Sequence, residues 1–151
     1  MRTILVSSCL LGLASRYDGS DNYSQAVADH LQRNSLTPIP VCPEQLAGLP
    51  TPRPKCWFTK GTGADILVGR GQIRNAQGGD VSNIFLRGAE QSLKLARLTN
   101  CQQAMLKQRS PSCGSRRVHQ DGQLVPGMGV TAALLAQQGL TILSEEELPE
   151  N

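Results

Sequence analysis

Apolar positions along the chain follow two periods, and each period predicts its own elements. Ile4, Leu5 and Val6, flanked by Thr3 and Ser7, form a compact apolar and β-branched run that predicts a short buried strand. Residues 36–41 predict a second strand, weakened by Pro38 and Pro40. Residues 104–107 and 140–143 repeat the short apolar pattern and predict a third and a fourth. Between them the period lengthens. Residues 23–34 space Ala26, Val27, Ala28 and Leu31 as a helix, with Asn22 as its candidate N-cap. Residues 81–98 carry the strongest helical pattern, through Ile84, Phe85, Ala89, Leu93, Ala96 and Leu98. Residues 129–138 predict a helix that ends at Gly139. Pro43, Pro50, Pro52 and Pro54 make residues 42–63 mostly loop, and residues 66–74 resemble a hairpin or edge strand around Gly69 and Gly71.

Strand, helix, strand, helix, strand, helix, strand is the order of a parallel sheet covered on both faces. The expected fold is therefore a single α/β domain over residues 1–151, Rossmann-like or flavodoxin-like, with a mostly parallel sheet. No internal repeat, low-complexity tract or linker divides it. A chain of 151 residues buries about 70% of the surface its unfolded form exposes, so it needs no disulfide staples.

That changes how the cysteines are read. Five of them, at 9, 42, 56, 101 and 113, are odd in number and too widely spaced for a secreted framework. The first residues run into a strand without the layout of a signal peptide, and no apolar run is long enough for a membrane. A reducing cytoplasm is the expected setting, where thiolates stay free for metals or catalysis.

The net charge of +3 is modest but unevenly spread. Between Arg87 and Arg117 seven basic residues face a single acid, Glu90, while Glu145, Glu146, Glu147 and Glu150 crowd the C-terminus. A basic segment attracts nucleic acid or a small anion, although a solvated helix face is its commoner meaning. Aromatic residues make up 3% of the chain, too few for the stacking platforms that bind single strands.

Placed on this pattern, Cys9 follows the first strand, Cys42 ends the second and Cys113 lies in the loop after the third. Ligands of open α/β sheets bind beyond the carboxyl ends of the strands, so these three are expected at one edge. Glu44 stands two residues past Cys42, and Ser110 and Ser112 make the Cys113 loop rich in hydroxyls. Each has an ordinary alternative: a cysteine as a small buried hydrophobe, Glu44 as a helix-start carboxylate, the serines as turn residues. Cys56 and Cys101 read as packing residues, and His30 and His119 as surface or satisfied histidines. No Cys-x-x-Cys pair exists, and Gly61-Thr62-Gly63 lacks the Lys-Ser/Thr of a phosphate loop. Three thiolates suit a soft metal or an iron–sulfur cluster, and a cubane held by three would leave one iron open.

The same positions carry a family resemblance. Val6-Ser7-Ser8-Cys9-Leu10-Leu11-Gly12 with Arg16-Tyr17-Asp18-Gly19 makes one block, and Pro40-Val41-Cys42-Pro43-Glu44 running on to Pro52-Arg53 a second. Leu106-Lys107-Gln108-Arg109-Ser110-Pro111-Ser112-Cys113-Gly114 and Gly127-Met128-Gly129-Val130-Thr131-Ala132 complete the set. Together they resemble the thiouracil desulfidase family over nearly the whole chain. The resemblance implies a 4Fe–4S cluster held by Cys9, Cys42 and Cys113, and a small thiolated nucleobase whose sulfur meets the open iron before hydrolysis to uracil. It also implies that Glu44 and Ser110 act on the substrate. Ser15 is a departure, since many relatives carry cysteine there.

The chemistry is coherent from below. A soft thiocarbonyl sulfur prefers iron to water, and a Lewis acid drawing on the C–S bond opens the carbon to water. Glu44 would then move a proton, Ser110 would hold the ring, and Lys107 or Arg109 would offset charge. No electron donor is needed. Two other classes stay open: a metal- or cluster-binding module that contacts RNA, and a carrier that passes sulfur through one cysteine persulfide.

Overall fold

The computed structural model describes residues 2–148. Its first sheet is built from the four apolar runs: β1 (Arg2–Ser7), β2 (Leu36–Val41), β5 (Gln103–Leu106) and β8 (Thr141–Ser144). They lie in the order β2-β1-β5-β8, and every neighbouring pair is parallel. Alternation along the strands divides the core in two, as the pleat requires. Ile4, Val6 and Met105 face α1 (Gln25–Arg33) through Val27 and Leu31. Leu5, Ala104 and Leu106 face the opposite way, onto Ala96 and Leu135 of α4 (Ser82–Leu98) and α5 (Val130–Gln137). Helices thus cover both faces. The N-cap of α1 is Ser24, whose hydroxyl accepts from Val27 N at 3.2 Å, rather than Asn22.

A second four-stranded sheet departs from the expected single one. It comprises β3 (Cys56–Lys60), β4 (Gln72–Asn75), β6 (Arg117–Gln120) and β7 (Gln123–Pro126), in the order β4-β3-β6-β7. The pair β3–β4 and the hairpin β6–β7 are antiparallel, and β3 joins β6 in parallel. Each strand is only four or five residues long. Phe58, Ile73 and Val118 are the residues it buries completely, so no periodic signal marks it in the sequence. These side chains pack on Phe85 and Ala89 of α4. One long helix therefore serves both sheets, its later turns facing the first and its earlier turns the second.

The middle of the chain needs one addition and one correction. Residues 42–63 are loop over most of their length, with two short elements set into them, α2 (Pro43–Leu46) and β3. Residues 66–74 are not a hairpin: α3 (Gly63–Leu67) occupies their start and β4 their end. A capping box starts α3, with Asp65 Oδ2 accepting from Thr62 N at 2.8 Å, and this outweighs the strand-like apolar residues.

Candidate active site

The strand order of the first sheet reverses between β1 and β5, which puts a crevice at their carboxyl ends. Three chain segments leave the sheet there. After β1, a 3-10 turn (Ser8–Leu11) carries Cys9 and stops at Gly12, whose φ of 91° is the left-handed conformation glycine tolerates. After β2, Cys42 caps α2 in an extended conformation, with Pro43 at the first helical position and Glu44 next. After β5, residues 107–116 form the third loop.

That third loop is built on two side chains. Ser110 Oγ accepts from the backbone N–H groups of Ser112 and Cys113, each at 3.1 Å, which sets the turn holding Cys113. Gln108 is buried, and its Oε1 accepts from Ser115, Arg116 and Arg117 N at 3.1, 3.0 and 3.2 Å. The acidic C-terminus straps across the outside. Glu145 accepts from Lys107 Nζ and from Gln108 N, both at 2.8 Å, while Glu146 pairs with Arg109 and Glu147 with Arg116. Three of the seven basic residues of that segment are thereby paired within the fold. Glu150 lies outside the described residues.

A cavity of about 310 Å³ opens between the three loops. Cys9, Cys42, Cys113, Glu44 and Ser110 all line it, so the five residues singled out in the sequence meet in one place. None of the cysteines is in a disulfide. Burial pushes the thiols of Cys9, Cys42 and Cys113 above their ordinary range, Cys113 furthest, where Ser7 pulls the other way and Glu44, then Cys9 and Cys42, add to the rise. Glu44 is raised as well, chiefly by burial, while the Arg53 guanidinium and the neighbouring Ser112 hydroxyl pull the other way. Among the described residues no three His, Cys, Asp or Glu side chains converge tightly enough for a single ion. A cubane offers separate iron corners, so its ligands need not converge on one point.

The remaining candidates divide. Cys101 sits in the core beside Ala96 and Ala104, with its sulfur 3.3 Å from Thr99 Oγ1, a packing residue as expected. Cys56 is corrected in place: it opens β3 rather than lying in a loop, and it lines the cavity. Burial first, then Glu44, raises its thiol to about 11. His30 is buried in α1, with Asn34 Nδ2 3.4 Å from its Nδ1. His119, read as a surface or satisfied residue, lines the cavity from β6.

Arg53, Tyr17 and Lys55 also line the cavity without having been given a role in the sequence. The Arg16 and Lys55 cations lie over the Tyr17 ring, at 5.7 and 6.0 Å from its centre. One signal was present for Arg53, a charged residue held between Pro52 and Pro54.

Residues 4–147, which contain all three loops, match the 2-thiouracil desulfurase family. The chain belongs to that family. Among its relatives, the uncharacterized protein YbbK of Bacillus subtilis (strain 168) is 40% identical over 148 residues, 96% of this chain and 97% of its own. A solved structure, the 4Fe–4S-dependent thiouracil desulfidase TudS, superposes with a TM-score of 0.83 at 37% identity. That match covers 99% of this chain and 94% of TudS. The resemblance read from the cysteine blocks is thus a membership, and the parallel-rich α/β architecture is shared with a solved desulfidase. No helix among the described residues is long and apolar enough to cross a membrane.

Proposed function

We propose that the protein is an iron–sulfur enzyme that converts a thiolated pyrimidine, thiouracil, to uracil and hydrosulfide by water, without net redox change. The observation that carries this reading is the meeting of three thiols from three strand ends with a partly buried carboxyl in one cavity. Soft, unpaired thiols on separate loops are a donor set that fits a cubane. TudS, similar over nearly the whole chain, is a 4Fe–4S-dependent thiouracil desulfidase, which supports the same cofactor and substrate here. The chain works as one catalytic unit over residues 1–151, and its free thiols favour the reducing cytoplasm.

Cys9, Cys42 and Cys113 would hold the cluster, which supplies a Lewis-acidic iron matched to a soft thiocarbonyl sulfur. The rest belongs to the chain. Burial brings the Glu44 carboxyl closer to neutral pH, where it can take a proton from water and return one to the ring, worth about 100- to 10,000-fold in rate. Ser110 Oγ already accepts two amide protons, and its own hydroxyl proton is left to donate to a ring oxygen or nitrogen. Lys107, tied to Glu145, lies near Cys9 and offsets thiolate charge. Atoms balance: water supplies the new oxygen, and the sulfur departs with a proton as hydrosulfide.

The RNA-module reading loses support because Glu145, Glu146 and Glu147 occupy three cations of the basic segment. A persulfide carrier needs one cysteine, whereas three meet here. The test is anaerobic turnover of 4-thiouracil in oxygen-labelled water, without reductant or thiol. The expected products are labelled uracil and hydrosulfide in equal amounts. Unlabelled uracil, or strict dependence on an added thiol, overturns the mechanism.

A further inference from the structure

Arg53 is a buried cation that none of the chemistry above uses. Its side chain is 4% exposed, a placement that costs several kcal/mol unless charge and hydrogen bonds compensate. Its close hydrogen bonds go to neutral acceptors. Nη1 donates to Thr51 Oγ1 at 2.9 Å and Nη2 to the Ser15 carbonyl at 2.9 Å. Two groups able to carry negative charge stand further out, on the same nitrogen. Cys42 Sγ and Glu44 Oε2 each lie 3.8 Å from Nη2. At that distance sulfur, with its larger radius, still accepts a hydrogen bond, while the carboxylate makes a looser ion pair. The backbone holds the fork in place, because Arg53 N donates to Tyr17 O at 2.8 Å, while Gln45 Nε2 steadies Thr51 Oγ1 at 2.7 Å.

We propose that Arg53 is a positioning residue that couples the metal ligand to the proton-transfer group, one guanidinium nitrogen serving both Cys42 sulfur and the Glu44 carboxyl. The proposal rests on the desulfidase reading. Hydrogen bonds to ligand sulfurs withdraw electron density and set the potential of a cluster. Arg53 would therefore make the cluster easier to reduce and its iron a stronger electron-pair acceptor toward substrate sulfur, with no electron transferred. The same fork restrains α2 at its first turn, so the carboxyl and the ligand cannot drift apart. A lysine cannot replace it, since a single ammonium lacks the fork that reaches Ser15, Cys42 and Thr51 together.

The experiment compares wild-type protein with Arg53→Met and Arg53→Lys, all prepared anaerobically. Iron and sulfide content, the midpoint potential of the cluster, and kcat and KM for 4-thiouracil are measured. Wild-type protein without iron overturns the desulfidase reading itself, and that result needs no variant. With the cluster present, Arg53→Met is expected to move the potential negative and to lower kcat roughly 10- to 100-fold, with KM little changed. Arg53→Lys moves the potential less but loses kcat comparably. An unchanged potential in Arg53→Met overturns the proposal, whatever happens to turnover. Should Arg53→Met fail to fold, Arg53→Lys decides: a lowered kcat with a negative shift supports the coupling, and a wild-type potential overturns it.

Discussion

Glu44 and Ser110 line the same cavity, yet their oxygens have different work. Ser110 Oγ accepts from two backbone amides of the Cys113 loop, whereas Glu44 has Arg53 as its charged neighbour at 3.8 Å. Substituting them should separate assembly from chemistry. Glu44→Gln keeps the cluster and loses about 100-fold or more in kcat, as expected when a proton-transfer group is removed. Ser110→Ala leaves two amide donors without their acceptor, about 1–3 kcal/mol each if they stay buried, and loosens Cys113. It is expected to lose iron as well as turnover. Iron stoichiometry beside kcat checks both, and the opposite pattern reverses the roles. The cysteines divide on the same measurement. Alanine at Cys9, Cys42 or Cys113 should strip iron, while alanine at Cys101 or Cys56 should retain it, with packing losses of about 1 kcal/mol. Iron loss in either of the last two would add a ligand to the set.

The loops are positioned by elements that approach them unusually closely. A Cβ added to Gly88 of α4 would sit 2.4 Å from Pro43 O, in the residue between Cys42 and Glu44. One added to Gly129, ahead of α5, would sit 2.4 Å from the Ser112 backbone, beside Cys113. Both glycines let a helix lean directly on a cysteine loop, so the core shared by the two sheets also sets the width of the cavity. Gly88→Ala gains up to about 1 kcal/mol of helix propensity. It meets backbone that cannot yield, and overpacking costs about 1–3 kcal/mol. The expected result is a net loss of stability together with a disproportionate loss of turnover. Ser24→Ala removes the α1 cap at a residue outside the cavity lining, at about 1 kcal/mol, and should leave kcat/KM unchanged. Denaturant midpoints and kcat/KM for the two variants make the comparison. Equal turnover in both would show that the approach of α4 does not govern the site.

At the scale of the molecule, a cluster held as proposed by Cys9, Cys42 and Cys113 would tie together the ends of β1, β2 and β5, which are distant in sequence. A group bound by the folded state alone stabilises it by mass action, about 2.7 kcal/mol at a hundredfold excess over Kd. In a chain of this length 1 kcal/mol moves Tm by about 2–4 °C. Cluster-loaded protein should therefore melt roughly 5–10 °C above iron-free protein, and chelation should close the gap. Anaerobic calorimetry of both forms tests this, and coincident melting would place the metal away from the strand ends. The C-terminal strap works at the same scale, since Glu145 joins β8 to the Cys113 loop through Lys107 and Gln108.

Local pattern was enough to read the first sheet. Parallel strands buried on both faces keep their apolar residues consecutive, as in Ile4, Leu5 and Val6, and the long spacing of α4 survives in any context. Cys9, Cys42 and Cys113 could be placed at one edge because strand ends follow from the strands. The second sheet could not be read. Phe58 pairs with Gln120 across sixty-odd intervening positions, and the strands of this sheet bury at most one residue each, so their stability comes from α4 beneath them and not from any local preference. For the same reason Tyr17 and His119 gave no indication of their place, and the proline-flanked Arg53 stood out without being located: these side chains meet the cysteines only when both sheets close around one helix. The sequence alone determined the ligand-bearing scaffold and the chemistry its thiols can do. Tertiary structure decided which charges surround them, because long-range packing brings those side chains together and leaves no period in the chain.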